Sequence, residues 1–427
     1  MSTASLDARE DEARGLDAAD AVGSARDRFV LPKDDTASGH AELAYLAGNS
    51  LGPQAVGVVD DVRAELDDWA TLIVEGHRLA RRPWGEYHSL LRGPMARVVG
   101  ARDDEVVVMN TLTVNLHFLL ASFYRPTPTR FRIVIEDAAF PSDRFAFASH
   151  ARFRGFDDAV VRLTPRDGER CLRTEDVIEH LTSDADRTAL VILGGVNYLT
   201  GQHFDMPAIT AAAQSLGITV GWDLAHAAGN VELQLHDLGA DFAAWCTYKY
   251  LNGGPGSVGA AFVHERHLGD PSLHRLSGWW STDPSTRFDM LAEMTPMSTA
   301  DAWAVSNPPI LSMTPLLAAM AVFDDVTMPV ARARSVRLTG YLERLLDEEV
   351  GDVGLGIVTP RDPAQRGSQL SVRVPVDPDV VCERLRSVHG VVGDTRRPDV
   401  VRVAPAPLFA TYHDCWRAAR GFAESLS

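Results

Sequence analysis

The order of apolar and polar residues along the chain predicts strands and helices in alternation. Strand-length apolar runs occur at 105–109, 131–135, 189–193, 218–222, 242–246 and 258–263. Stretches with helical apolar spacing separate several of these runs, for example at 112–124 and 207–216. Such alternation is typical of a mostly parallel sheet that is covered on both faces. We therefore expect a large α/β domain in this part of the chain.

The two ends of the chain have other patterns. A polar leader with a short helix precedes an amphipathic helix that we expect from Val58 to Glu75. After Asn307-Pro308-Pro309, a helical region at 310–349 leads into strand candidates at 369–374 and 400–403. We predict three parts: an N-terminal segment that packs with the small domain (1–50), a large domain (51–315) and a smaller α+β C-terminal domain (316–427).

Composition and charge narrow the possible partners and the compartment. The formal charge is 41 − 58 = −17, and an excess of carboxylates repels phosphate backbones and anionic lipids. Residues 1–28 have no apolar core like that of a secretory signal, and no apolar stretch reaches the length of a membrane span. The four cysteines form no CxxC pair, so we expect reduced thiols. We therefore expect a cytoplasmic protein that binds neither nucleic acid nor membranes.

Lysine is rare in this chain, so each lysine is a candidate for a role that arginine cannot fill. The 41 basic residues include only two lysines, Lys33 and Lys249. Arginine can replace lysine as a charge but cannot form a Schiff base. Lys33 lies in a polar segment rich in helix breakers, so we interpret it as a surface charge. Lys249 follows the apolar run 242–246, which places it at the carboxyl edge of the predicted sheet, where open α/β folds bind ligands. A lysine at this position can also simply extend into solvent.

A carboxylate and a histidine follow another strand of the predicted sheet. The run 218–222 leads directly into Asp223, and His226 comes three residues later. A buried carboxylate is costly unless it pairs with a cation or serves the function of a site, although an Asp at a strand end is more often a helix cap. Together with Lys249, Asp223 points to pyridoxal phosphate (PLP), which needs an amine for covalent attachment and an acid for its ring nitrogen. His226 could line the same ring.

The sequence also offers a phosphate site and an aromatic neighbour for the ring. The strand at 105–109 turns through Thr111 and Thr113 into a helix, and the free N–H groups at a helix start bind phosphate. An ordinary helix cap explains the same threonines equally well. Phe140 follows the next strand and could stack on a cofactor ring or lie in the core.

Motifs of several other enzyme classes are missing from the chain. His264 and His267 lack the spacing of a zinc-protease helix, so no metal site is expected. Neither a Rossmann fingerprint opening a βαβ unit, nor a P-loop, nor a G-x-S-x-G elbow occurs. Nicotinamide dehydrogenases, P-loop enzymes and α/β-hydrolases therefore have no support.

Motifs along nearly the whole chain resemble those of the kynureninases. They are 46–52 (LAGNSLG), 76–77 (GH) with 82–84 (RPW), 110–116 (NTLTVNL), 140–143 (FPSD), 200–202 (TGQ), 223–229 (DLAHAAG), 248–252 (YKYLN), 306–310 (SNPPI), 367–370 (GSQL) and 402–408 (RVAPAPL). This family has the aspartate-aminotransferase-like fold of PLP enzymes (fold type I, class V aminotransferase superfamily). It hydrolyses the Cβ–Cγ bond of kynurenine or 3-hydroxykynurenine to anthranilate or 3-hydroxyanthranilate plus alanine, in tryptophan catabolism and NAD biosynthesis.

The resemblance implies roles for individual residues. Lys249 would carry the cofactor and shuttle protons, Asp223 would pair with the pyridinium, and Tyr248 would transfer a proton near the phosphate. The implied cofactor-binding residues are Leu112, Thr113, Phe140, Pro141, Ser142, Asp143, Asp223, His226, Tyr248, Lys249, Trp279 and Asn307. The implied substrate-binding residues are His77, Ser306, Asn307 and Arg402, the last of which would clamp the α-carboxylate. Trp279 and Asn307 normally come from the second subunit, so the resemblance implies a homodimer with shared sites.

Three positions depart from the pattern of the family. Ser281-Thr282 stands where Gly-His is expected, and Ala304 stands where an arginine is expected. His77, Ser306 and Asn307 nevertheless match members that prefer 3-hydroxykynurenine, so we expect the ring-hydroxylated substrate to be accepted.

The alternatives are a kynureninase for a modified kynurenine of secondary metabolism, another fold-type-I enzyme, and a non-catalytic protein with this fold. A class V aminotransferase is one such enzyme. A desulfurase has less support, because Cys382 lacks the flexible loop that its chemistry needs.

Overall fold

Helices and strands alternate through the middle of the chain, as the apolar pattern predicts. The computed structural model describes residues 3–350 and 354–426. The helices in these ranges are Thr3–Ala19 (α1), Val58–Leu72 (α2), Gly76–Leu79 (α3), Ser89–Val99 (α4), Leu112–Phe123 (α5), Pro141–Phe153 (α6), Thr174–Ser183 (α7), Met206–Ser215 (α8), Leu235–Leu238 (α9), Ile310–Val326 (α10), Met328–Val350 (α11), Pro378–His389 (α12) and Tyr412–Leu426 (α13). The strands are Phe29–Val30 (β1), Ala44–Tyr45 (β2), Gln54–Ala55 (β3), Val106–Val108 (β4), Arg132–Glu136 (β5), Val160–Leu163 (β6), Thr188–Gly194 (β7), Thr219–Asp223 (β8), Phe242–Trp245 (β9), Ala260–Val263 (β10), Gly356–Ile357 (β11), Leu370–Arg373 (β12), Val391–Val392 (β13), Asp394–Arg396 (β14) and Val400–Val403 (β15).

The main sheet has the strand order β4–β10–β9–β8–β7–β5–β6. Strand β10 runs antiparallel to both of its neighbours, and the other pairs are parallel. Leu190 and Ile192 of β7 belong to one hydrophobic cluster, whereas Val191 and Leu193 belong to a second cluster. Both faces of β7 are thus buried, which explains its continuous apolar run. The expectation of a mostly parallel sheet flanked by helices is confirmed.

The edge strand β6 is not among the strands that the sequence predicts. It pairs only with β5, its residues are mostly half-buried, and Arg162 is exposed. A strand with one neighbour and one wet side does not need the apolar run by which central strands are recognised.

The N-terminal segment and the C-terminal residues share a smaller body. Strands β11, β12, β15 and β14 form an antiparallel sheet, and β2 pairs with β13. Helix α1 packs against α13, and Leu46 joins the hydrophobic cluster that contains Trp416 and Phe422. Residue 316, where we expect the small domain to begin, lies inside α10, which packs against α2 and α4. The exact boundaries remain a prediction.

The predicted helical region at 310–349 consists of two helices. Thr327 separates α10 from α11 with a left-handed backbone (φ 65°), and the two helices are bent by 83°. Among the described residues, no single helix is long and apolar enough to cross a membrane, and these two meet such a test only as a bent pair.

The carboxyl ends of the parallel strands meet at one edge of the main sheet. Glu136 ends β5, Gly194 ends β7 and Asp223 ends β8. Helix α5 follows β4 and helix α6 follows β5, so both begin at this edge. Polar side chains and helix N-termini are therefore concentrated where open α/β folds bind ligands.

Candidate active site

A cavity of about 290 Å³ lies at this edge. Its wall contains ten of the residues that the sequence predicts, namely Leu112, Thr113, Phe140, Ser142, Asp143, Asp223, His226, Tyr248, Lys249 and Arg402. Pro141 is the first residue of α6, between Phe140 and Ser142, and its ring presets the helical backbone there. The volume is near the lower limit of small-molecule sites.

Lys249 is the lysine of the cavity. It follows β9, whose four residues are all buried, so a rigid strand holds its backbone at the cavity wall. Its Nζ lies 6.0 Å from the centroid of the Phe140 ring and 5.8 Å from that of Tyr248. These two rings confine the amine by cation–π contacts. Lys33 is exposed, as expected of a surface charge.

Two buried carboxyls lie side by side in the cavity. Asp223 accepts a hydrogen bond from the backbone N–H of Ala225 (2.8 Å), which fixes its rotamer. Asp143 lies in the first turn of α6. Burial, together with the neighbouring charge of Asp223, raises the pKa of Asp143 well above its usual range. The neutral form of Asp143 is therefore favoured beside Asp223.

Glu136 is a third buried carboxyl, and sequence reasoning missed it. It accepts the backbone N–H of Gly194 at 3.1 Å, and burial with the nearby charge of Asp223 raises its pKa to about 7. A Cβ on Gly194 would lie 3.1 Å from Oε1, so a glycine leaves room for this carboxyl. The available signal was an acidic residue at the end of an apolar strand, the same signal that singled out Asp223.

His226 presents a neutral ring to the cavity. It is buried, and its Nδ1 has no hydrogen-bond partner among the described residues. Burial, followed by the charges of Lys249, Arg402 and Arg396, lowers the pKa of His226 well below its usual value. A neutral imidazole beside the Asp223 carboxylate suits a heteroaromatic ring bound there.

Two helix N-termini converge on the same cavity. Thr111, the N-cap residue of α5, makes no side-chain hydrogen bond to the first turn of the helix. The backbone N–H groups of that turn are therefore available to a ligand. The hydroxyl oxygens of Thr113 and Ser142 lie 2.7 Å apart. Burial raises the pKa of Tyr248, so its phenol remains a hydrogen-bond donor. Such an arrangement of N–H and O–H donors binds phosphate.

Arg402 joins the cavity from the small domain. Its side chain is 1% exposed, and its Nε donates to Asp394 at 2.6 Å. Its Nη1 donates to the backbone carbonyl of Tyr198, also at 2.6 Å. Tyr198 meets Phe140 edge-to-face at a centroid distance of 5.1 Å, and Arg396 lines the cavity nearby. The sequence did not reveal Tyr198, Asp394 or Arg396, because only the folded hairpin β14–β15 and the loop after β7 bring them to the site.

The other four predicted site residues lie apart from Lys249. His77 and Trp279 line a cavity of about 930 Å³, Ser306 lines one of about 300 Å³, and Asn307 lines both. All four are exposed in the single chain. Thr111 lines both the 300 Å³ cavity and the Lys249 cavity, so the two adjoin at the start of α5.

Family models and curated relatives identify the family of the chain. The model "Aminotransferase class-V" matches residues 45–375, and "Kynureninase C-terminal domain" matches residues 331–422. A kynureninase of Salinispora tropica is 57% identical over 98% of this chain and 97% of its own. The chain belongs to the kynureninase family. A kynureninase of Myxococcus xanthus is 50% identical over 96% of this chain and 95% of its own, and one of Nematostella vectensis is 44% identical over 94% and 90%.

Solved structures agree with the fold. A cysteine desulfurase from Thermococcus onnurineus has a TM-score of 0.72 at 17% identity and covers 90% of this chain and 94% of its own. The cystine C–S lyase C-DES has a TM-score of 0.75, also at 17% identity, with 90% and 97% covered. Kynureninases are PLP-dependent hydrolases that cleave a carbon–carbon bond, so the predicted enzyme class and cofactor are confirmed.

Two of the three departures from the kynureninase pattern, Ser281 and Ala304, contact each other. The hydroxyl of Ser281 donates to the backbone carbonyl of Ala304 at 2.6 Å, and both residues are buried. Thr282 donates to the carbonyl of Thr295 at 3.1 Å. Ala304 lines the 300 Å³ cavity together with Ser306 and Asn307, and Ser281 supports that wall through its hydrogen bond to Ala304.

Proposed function

We propose that this kynureninase accepts both L-kynurenine and 3-hydroxy-L-kynurenine and releases anthranilate or 3-hydroxyanthranilate with L-alanine. The observation that carries the proposal is the meeting of Lys249, Asp223 and Arg402 in one cavity. An amine, a carboxylate for a ring nitrogen and a guanidinium for a carboxylate are the groups that PLP chemistry on an amino acid requires.

The residues of the cavity fit PLP. The first turn of α5, with Thr113, Ser142 and Tyr248, would hold the phosphate, and Asp223 would face the ring nitrogen. Phe140 and His226 would cover the ring, and Pro141 and Asp143 would support that wall. When bound, the cofactor supplies an electron sink for bonds next to the substrate amine.

The side chains then bind, orient and move protons. Arg402 binds the α-carboxylate of the substrate. Lys249 Nζ removes the proton from Cα and acts as the proton shuttle of the site. Tyr248 transfers a proton near the phosphate. A water molecule adds its oxygen to the carbonyl carbon, the Cβ–Cγ bond breaks, and Cβ gains a proton that the water's own proton replaces, so one water is divided between the two products. The carbonyl carbon thus becomes the aryl carboxylate, and the remaining fragment becomes alanine.

The exposed second group of residues supports a homodimer with shared sites. Trp279 and Asn307 would then reach the Lys249 cavity of the other subunit, while His77 and Ser306 would contact the aryl ring. Exposed apolar side chains near His77, namely Trp69, Ile73, Val74 and Leu79, are candidates for the subunit interface.

The cellular setting is part of the same proposal. All four cysteines are free, which agrees with a reducing cytoplasm. The charge of −17 disfavours nucleic acid and membrane partners. We place the reaction in tryptophan catabolism and the supply of precursors for NAD biosynthesis.

The experiment compares L-kynurenine with 3-hydroxy-L-kynurenine on the purified, PLP-loaded protein. We expect equimolar alanine and aromatic acid from both compounds, and the two kcat/KM values rank them. A protein that binds PLP and cleaves neither compound would contradict the proposal.

A second candidate is a ring-modified kynurenine, which the altered wall at Ser281 and Ala304 favours. Turnover of such a compound, with none of the two standard substrates, would support that alternative.

A further inference from the structure

Asp394 lies between two arginines at the end of the cavity that faces the small domain. Its Oδ1 accepts the N–H of Arg402 Nε at 2.6 Å, and its Oδ2 contacts Arg402 Nη2. The same Oδ2 lies 3.4 Å from Arg396 Nη2. Asp394 and Arg402 are direct partners in the β14–β15 pairing, so the backbone register fixes this contact.

Arg402 keeps donors free for a ligand. Two of its five N–H groups point to Asp394, and a third donates to the Tyr198 carbonyl, which leaves two. Because three contacts fix the guanidinium, the two free N–H groups have a defined direction. A carboxylate has two acceptor oxygens that match such a pair.

Arg396 is a second cation at the same place. It lines the cavity, its guanidinium lies 6.0 Å from the Tyr198 ring centroid, and its Nη1 donates to the Thr395 carbonyl at 2.6 Å. Asp394 offsets only one of the two positive charges. The part of the cavity wall that these two arginines form is therefore cationic.

We propose that Arg396 and Arg402 together bind the α-carboxylate of the amino acid, and that Asp394 is the positioning residue that holds both guanidinium groups. The proposal rests on the proposed function in one respect, because it takes the ligand to be an α-amino acid. Asp394 itself does not touch the ligand.

The test uses four single variants of the PLP-loaded enzyme. Arg396→Gln removes the second cation, and Asp394→Asn removes the charge that orients both arginines. The matched controls are Arg397→Gln and Asp379→Asn. Arg397 and Asp379 form an exposed pair with each other beside the same hairpin, outside the cavity.

The measured quantities are the dissociation constants of L-alanine and L-alaninamide. The absorbance of the bound cofactor reports the binding of each compound. We expect the wild type to prefer the carboxylate. Arg396→Gln and Asp394→Asn should each reduce that preference about 10- to 100-fold, the range for losing a charge-assisted hydrogen bond. With kynurenine, KM should rise while kcat changes little. Both controls should resemble the wild type.

Equal weakening of alanine and alaninamide would overturn the proposal, since it would mean a merely structural role. An unchanged preference in Arg396→Gln would also overturn it. Binding of alanine is measured without turnover. The claim about the carboxylate site and the claim about kynurenine cleavage can therefore fail separately. A wild type that prefers alanine but cleaves no kynurenine contradicts the proposed function and leaves the carboxylate site supported.

Discussion

At the residue scale, the site brings buried acids and bases into one cavity. Glu136, Asp143 and Asp223 lie where the strands end, and Arg402 enters from the small domain, with Lys249 also in the cavity wall. Burial raises the pKa of Glu136 to about 7 and that of Asp143 well above its usual range, and the charge of Asp223 adds to both shifts.

Glu136 gives a prediction for the dependence of stability on pH. Its pKa is raised from 4.5 to about 7 in the fold, so between these values the folded state binds more protons than the unfolded state. The contribution to the free energy of unfolding therefore falls as pH rises through this window, by on the order of 3 kcal/mol. Glu136→Gln should flatten this fall and stabilise the protein above pH 7.

Urea unfolding of the PLP-loaded protein at a series of pH values measures this effect. Glu179→Gln, an exposed change on α7, serves as the control and should leave the slope unchanged. An identical slope in wild type and Glu136→Gln would contradict the account.

At the scale of elements, burial decides what the sequence reveals. The pattern predicts β15 with its observed bounds, 400–403, because this fully buried strand needs apolar residues. It predicts Asp223 and Lys249 because each follows such a strand. It misses β6, which is an edge strand, and the bend at Thr327, because two successive helices with continuous helical apolar spacing look like one. Asp394 is invisible in sequence, because its role depends on a cross-strand partner.

Gly221 in β8 shows how tightly the central strands pack. A Cβ at this position would lie 2.3 Å from the ring of Phe242, its register partner in β9. Gly221→Ala should therefore lower the free energy of unfolding by about 1 to 3 kcal/mol, since overpacking forces the ring or backbone to move.

Gly340→Ala is the matched control, because nothing lies within 4 Å of a Cβ there and α11 gains helix propensity. Chemical unfolding of the two variants gives the comparison. If Gly221→Ala were as stable as Gly340→Ala, the ring could not be packed as described.

At the scale of the whole molecule, a single chain holds two separated groups of site residues. Lys249 and Arg402 share one cavity, whereas Trp279 and Asn307 are exposed elsewhere. A dimer that exchanges these groups would complete two sites at once.

Mixed dimers test this exchange. Lys249→Ala and Asn307→Ala should each be severely impaired as homodimers. In a mixed dimer, one of the two sites keeps Lys249 from one subunit and Asn307 from the other, so the purified mixed dimer should have about half of the wild-type activity. Co-expression with two affinity tags isolates the mixed species. Absence of any recovery would show that both residues serve the same subunit.

The most direct test of the central claim is the reaction of the PLP-loaded enzyme with L-kynurenine in ¹⁸O-labelled water, with both products analysed by mass spectrometry. The account predicts equimolar anthranilate and alanine, with one labelled oxygen in the new anthranilate carboxylate and none incorporated into alanine by the cleavage. Lys249→Ala should release neither product. Formation of a keto acid in place of alanine, or anthranilate without label, would contradict hydrolytic cleavage at this site.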